Sequence, residues 1–126
     1  MTINFAVAWL LLTGTPDSGW TSRYAPDVMS WQTAYHASID PSHIAPCDGC
    51  AVAVSDCSLI GDYWLIRPVG ADEWTPVIVS DCAGKDALNS MGISWMDEYN
   101  ILVELSYPLA VEFGAVDGSV EVEVRR

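Results

Sequence analysis

Basic residues are scarce in this 126-residue chain: Lys and Arg total 5 against 17 Asp and Glu, a formal charge of −12. A phosphate backbone is repelled by such a surface, and no Lys/Arg cluster relieves it, so nucleic acid is not an expected partner. An anionic membrane surface is disfavoured for the same reason. Solubility is the plain reading of the acidity. A run long enough for a membrane helix, ~20 residues, is also lacking. The apolar run from Ile3 to Leu12, with only Asn4 polar, is too short. It has the length of a signal-peptide core, but no Lys or Arg precedes it and no Ala-x-Ala follows. The alternative is an arm that packs on the domain or on another subunit. There is no nucleotide-type βαβ repeat, and no cofactor or metal is expected.

Apolar residues are plentiful: 51% of the chain is hydrophobic and 6 residues are Trp, which excludes disorder for most of it. The length suits one domain with a proper core. Thr15-Pro16-Asp17-Ser18-Gly19 is a linker by composition. Residues 1–18 therefore read as a signal-like segment or arm plus linker, and residues 19–126 as the folded domain.

The cysteines are Cys47, Cys50, Cys57 and Cys82. They permit two disulfides in three connectivities, and Cys47 with Cys50 and Cys57 with Cys82 is the preferred set. Zinc usually needs a second closely spaced ligand pair, which Cys57 and Cys82 do not make. A redox Cys-x-x-Cys is the other alternative, but Cys47-Asp48-Gly49-Cys50 lies in a Pro-rich loop without a helix to lower the thiol pKa. Disulfides presuppose export.

Many short strands are expected. Trp20 to Tyr24 reads as the first. Ser30 to His36 is a second short strand or a loop, and Ser38 to Asp48 is irregular. Ala51 to Val54 is apolar and short. Tyr63 to Val69 is a strand with Pro68 near its end, and Gly70 to Glu73 is a hairpin loop into a strand from Trp74 to Val79. Lys85 to Asn100 looks helical, broken by Gly92. Ile101 to Leu105 is a strand. Ser106 caps a short helix with Pro108 in its first turn and Gly114 past its end. Val120 to Val124 alternates cleanly, as a last strand with one buried face. Little helix and many short strands predict a mainly β fold, a small closed barrel.

The candidate chemistry centres on Asp81, where the β-branched run Val77 to Val79 meets Ser80-Asp81-Cys82-Ala83-Gly84. Burial and a second acid disfavour the charged form of a carboxylate there and keep it as a proton donor near neutrality. Glu104 is the expected neighbour. The competing reading is a turn-forming Asp that bonds its own backbone.

The ordered set of Gly19-Trp20-Thr21-Ser22-Arg23-Tyr24, Thr33-Ala34, Leu59-Ile60-Gly61-Asp62, Val79-Ser80-Asp81-Cys82-Ala83-Gly84, Ile101 to Ser106, Phe113-Gly114 and Val120 to Val124 resembles rare lipoprotein A-like proteins. It is more distantly similar to the first domain of expansins and barwin-type proteins. The resemblance implies a six-stranded double-psi β-barrel with one or two short helices. It also implies secretion or residence in the cell envelope, and action on peptidoglycan or a related polysaccharide. In lytic transglycosylase members the position matching Asp81 is the general acid/base, and an acid at Glu104 raises its pKa and steadies charge on the sugar ring. In expansin-like members the matching pair loosens polysaccharide without hydrolysis. Tyr24, Trp31, Trp74 and Trp95 are candidates to stack on sugar faces, with core packing as the plain alternative. Thr33 joins the substrate-binding set through the Thr-Ala pair, and His36 is a candidate substitute titrating group, a surface or structural His being the plain alternative. The chain departs from the family in three places. Glu104 stands where Asp is usual, Tyr35-His36-Ala37 replaces an acidic residue after the Thr-Ala pair, and the Arg of an Asp-Arg-Gly-Pro turn is absent. A third reading makes the barrel a structural or assembly subunit that self-associates through residues 1–14.

Overall fold

The computed structural model describes residues 16–82 and 92–126. The expected arm over residues 1–14, the Ala83-Gly84 half of the turn after Asp81 and the first part of the helix expected from Lys85 lie outside the described residues. The elements are β1 (Asp17–Arg23), α1 (Val28–Ile39), β2 (Ala51–Val54), a 3-10 turn (Cys57–Leu59), β3 (Tyr63–Pro68), β4 (Thr75–Cys82), α2 (Trp95–Glu98), β5 (Ile101–Leu105), α3 (Tyr107–Phe113) and β6 (Glu121–Arg125). Six strands close into a barrel in the order β1-β5-β2-β4-β3-β6. The pairs β1/β5 and β2/β4 are parallel, and the other four neighbouring pairs are antiparallel. Closure removes every free strand edge, which is the usual solution for so many short strands.

The barrel interior follows from strand alternation. Val52, Val54, Trp64, Ile66, Val77, Val79, Val103, Leu105, Val122 and Val124 form one buried cluster, each two residues from its partner on the same strand. Each such aliphatic side chain contributes roughly 1.5–3 kcal/mol by leaving water. Leu109 and Ala110 of α3 join the same cluster. That helix starts as its sequence dictates: Ser106 Oγ accepts from the Leu109 N–H at 3.3 Å, Pro108 sits in the first turn, and Gly114 ends it at φ 72°.

Three differences from the sequence reading have physical causes. β1 begins at Asp17, because Asp17, Ser18 and Gly19 pair with Val124, Glu123 and Val122 of β6; ladder hydrogen bonds override their turn-forming composition. Gly19 is required there, since a Cβ would lie 2.7 Å from Leu102 Cβ. The larger difference is α1, which occupies the stretch read as a strand or loop from Ser30 to His36. Its polarity is inverted. Met29 and Thr33 face the barrel, while Val28, Trp31, Tyr35 and Ile39 are exposed, so no apolar stripe marks a buried helical face. With α2 and α3, this makes three α-helices among the described residues rather than one or two. Finally, β4 continues through Asp81 to Cys82 instead of stopping at Val79.

The disulfides are Cys47–Cys50 and Cys57–Cys82, the preferred pairing, so all four thiols are taken and neither a zinc-thiolate site nor a free dithiol remains. The second bond ties the 3-10 turn to the residue after Asp81. Two disulfides fit an oxidising compartment. Among the described residues no helix is long and apolar enough to cross a membrane.

Candidate functional site

One extra residue in β4 builds the site. Val52 pairs with Val79, but the next residue of β2, Ala53, pairs with Asp81, so Ser80 is the extra residue of a β-bulge. Val77 and Val79 point into the barrel, whereas Ile78 packs with Met29, Ala51 and Ala53 on the outer face beneath α1. Strict alternation would send residue 81 inward. The bulge instead sets Asp81 level with Ala53 on that outer face. Ala53 also pairs with Glu104 on β5, and Glu104 pairs with Ser22 on β1. Asp81, Ala53, Glu104 and Ser22 thus form a row across four strands. The Asp81 and Glu104 backbones are two strand spacings apart, about 9–10 Å, with only a methyl group between them.

Tyr24 reaches across the row from the end of β1 to Asp81. Its backbone N–H donates to Leu105 O at 2.8 Å, fixing it where β1 ends. Its hydroxyl donates to Asp81 Oδ2, and the Cys82 N–H donates to Oδ1 at 2.9 Å. Asp81 therefore bonds its own backbone, as a turn-forming Asp would, and holds a phenol as well. Burial raises the Tyr24 phenol above its ordinary range, and the bond to Asp81 and the two carboxylates push it further. The carboxyl raised toward neutrality is Glu104. Burial, and then the Asp81 charge, lift it from 4.5 to about 7, while the Ser22 hydroxyl acts in the other direction. A carboxyl held there keeps its proton at the pH where ordinary carboxylates have lost theirs.

Behind the row, Ser80 is fully buried. Its hydroxyl donates to Thr33 Oγ1 at 3.0 Å and lies 3.2 Å from His43 Nε2. Thr33 in turn donates back to Met29 O at 2.9 Å, and the His36 and His43 rings are 5.2 Å apart. Burial, then the nearby His36, lowers the pKa of His43, while Asp40 opposes this. These contacts hold the bulge that aims Asp81. Thr33 and His43 also line a cleft of about 700 Å³ between α1, the Cys47 loop and the start of α3. Asp81, Glu104 and Tyr24 do not line it.

The structure thus brings Asp81, Glu104 and Tyr24 together and sets Thr33 and His36 in the layer behind them. Trp31 stands apart on the outer face of α1, and Trp95 opens α2, half-buried. Trp74 is on the opposite wall of the barrel. The Arg67 guanidinium lies 4.2 Å over its ring and that of Arg125 5.2 Å, so its faces meet cations instead of the carboxylate row. His43 and Ser80 were not singled out by sequence reasoning. His43 lies in an irregular Pro-rich stretch, and nothing local signals that it is buried against β4. Among the described residues no group of three His, Cys, Asp or Glu is placed to hold a metal ion.

No protein-family model matches the chain, and no curated protein matches it.

Proposed function

We propose that this is an exported double-psi barrel of the rare lipoprotein A-like kind that cleaves peptidoglycan glycan strands at the Asp81/Glu104 row. One observation carries this reading. The β4 bulge sets two carboxyls on either side of Ala53, one oriented by a phenol and the other, Glu104, held near neutrality. Paired carboxyls in unequal environments are the usual apparatus of glycosidic cleavage. Glu104 donates its proton to the glycosidic oxygen as the C1–O bond breaks. Asp81, fixed by Tyr24, steadies the positive charge on the ring. The 6-hydroxyl of the same sugar bonds to C1 and returns its proton to Glu104, leaving an anhydro-sugar end. This exchanges the roles the resemblance implies for the two acids. The two disulfides support export.

Purified protein incubated with sacculi, with soluble fragments analysed by mass spectrometry, tests the reading. Anhydro-muropeptides from the native chain, lost in Asp81→Asn and Glu104→Gln, are expected. Folded native protein that releases none refutes the enzymatic reading.

A further inference from the structure

The exposed face of α1 is the least explained surface of the molecule. Trp31 is 80% exposed and Tyr35 60%. At i and i+4 they lie on one face of the helix, roughly 6 Å apart along its axis. The buried face of the same helix is made by the smaller Met29 and Thr33, so the two aromatics contribute nothing to the core. Two shallow hollows flank Trp31. One, of about 250 Å³, is bounded by Pro26, Asp27, Val28 and Gln32 as well as Trp31. The other, of about 300 Å³, is bounded by Trp31, Gln32 and Tyr35. These are at or below the lower end of small-molecule sites and suit one sugar-sized ring each. Gln32 borders both and offers amide donors and an acceptor beside an aromatic face.

Charge narrows the occupant. No Lys or Arg occurs between Arg23 and Arg67, and the chain carries −12 in all. A second copy brings another −12, and an anionic bilayer or nucleic acid is repelled. An uncharged polymer with flat apolar faces and hydroxyl edges meets none of this repulsion. It also matches the combination of ring face and amide.

We infer that Trp31, Tyr35 and Gln32 form a polysaccharide-anchoring ridge on α1, which holds an uncharged stretch of glycan by stacking two neighbouring sugar rings, separately from the carboxylate row. The inference rests on the glycan reading above and assigns its polymer contacts to a surface where no bond is broken. The ridge raises the local concentration of glycan at the row by keeping the chain on an insoluble substrate.

The test uses the intact protein with the soluble β-1,4-linked hexamer of N-acetylglucosamine in calorimetry, and with sacculi in co-sedimentation. Trp31→Ala and Tyr35→Ala are each expected to weaken hexamer binding about tenfold. The double variant should lose sacculus binding while keeping the native melting temperature, because both side chains are exposed. Trp74→Ala, whose ring meets Arg67 and Arg125 away from both the ridge and the row, should bind like the native protein. Unchanged binding in the ridge variants overturns the inference, as does binding lost in Glu104→Gln but kept in Trp31→Ala. Native protein that binds neither probe overturns both the ridge and the glycan reading. Binding through the ridge without anhydro-products leaves the ridge standing and removes the enzyme. Sedimentation showing a native dimer that Trp31→Ala converts to monomer gives the ridge to a second copy and overturns the inference.

Discussion

Replacing Glu104 by Gln removes one ionisation and little else, so it isolates the strain that the site places on the fold. The gap between 4.5 and about 7 corresponds to about 3.4 kcal/mol at 1.36 kcal/mol per pH unit. Glu104 is only half-buried, so solvent screening reduces the recoverable part to about 1–2 kcal/mol. The sign follows from proton uptake. Well below pH 4.5 the carboxyl is protonated in both folded and unfolded chains, and the burial penalty is not felt. Between 4.5 and about 7 the unfolded chain has lost the proton and the folded chain still holds it, so stability falls with rising pH. Above about 7 the full penalty applies. Glu104→Gln should therefore match the native protein at pH 4 and exceed it at pH 8 by about 1–2 kcal/mol, or about 4–8 °C in melting temperature. Urea denaturation across pH 4–8 measures this, and carboxyl NMR gives the midpoint directly. Asp81→Asn, which removes the like charge, should lower that midpoint. A Glu104 midpoint near 4.5 in the native protein, or parallel pH profiles for native and variant, refutes the reasoning.

Five other outcomes are expected. Release of anhydro-products should fall about tenfold per pH unit above about 7, as Glu104 loses its proton, and Glu104→Gln should lose about a hundredfold or more, both read by product mass spectrometry. Replacing Cys57 and Cys82 by Ala opens a closure of 25 residues and should cost about 3 kcal/mol in urea denaturation. Gly49→Ala places a Cβ 2.7 Å from Pro108 Cβ at φ +75° and should cost about 2 kcal/mol. Trp74→Ala should lower the melting temperature while leaving hexamer binding unchanged, since its ring meets Arg67 and Arg125.

The barrel was legible because its strands are short, β-branched and bounded by turn formers. Val77-Ile78-Val79 and Val120 to Val124 declare their burial by period and composition alone. α1 was not legible because a helix is read from an apolar face turned inward, and this one turns Trp31 and Tyr35 outward. Asp81 and Glu104 could be named from sequence, since Asp81 lies where the buried run from Val77 to Val79 gives out and Glu104 interrupts the apolar run from Ile101. The means of joining them could not. A bulge depends on which residue of β2 faces which residue of β4, and that register is set by closure of the whole barrel. The raised carboxyl depends on the same register, which local composition does not contain. His43 is held by a loop that has no periodicity, so its contact with Ser80 leaves no trace in the sequence.

The arginines described around Trp74 have an electrical consequence. Arg67, Arg125 and Arg126 account for 3 of the chain's 5 basic residues. They lie on or beside β3 and β6, which the strand order sets diametrically across the barrel from β2 and β5. Acids stand among them, Glu121 and Glu123 on β6 and Asp72 and Glu73 in the loop after β3, so this wall is close to neutral within a polyanion and has no positive pole. Arg67 pairs with Glu123 and Arg126 with Asp17, so their charge is met within the barrel wall instead of by a surface partner. An anionic matrix therefore finds no positive handle on this wall, and contact with it falls to uncharged groups such as those of the α1 ridge.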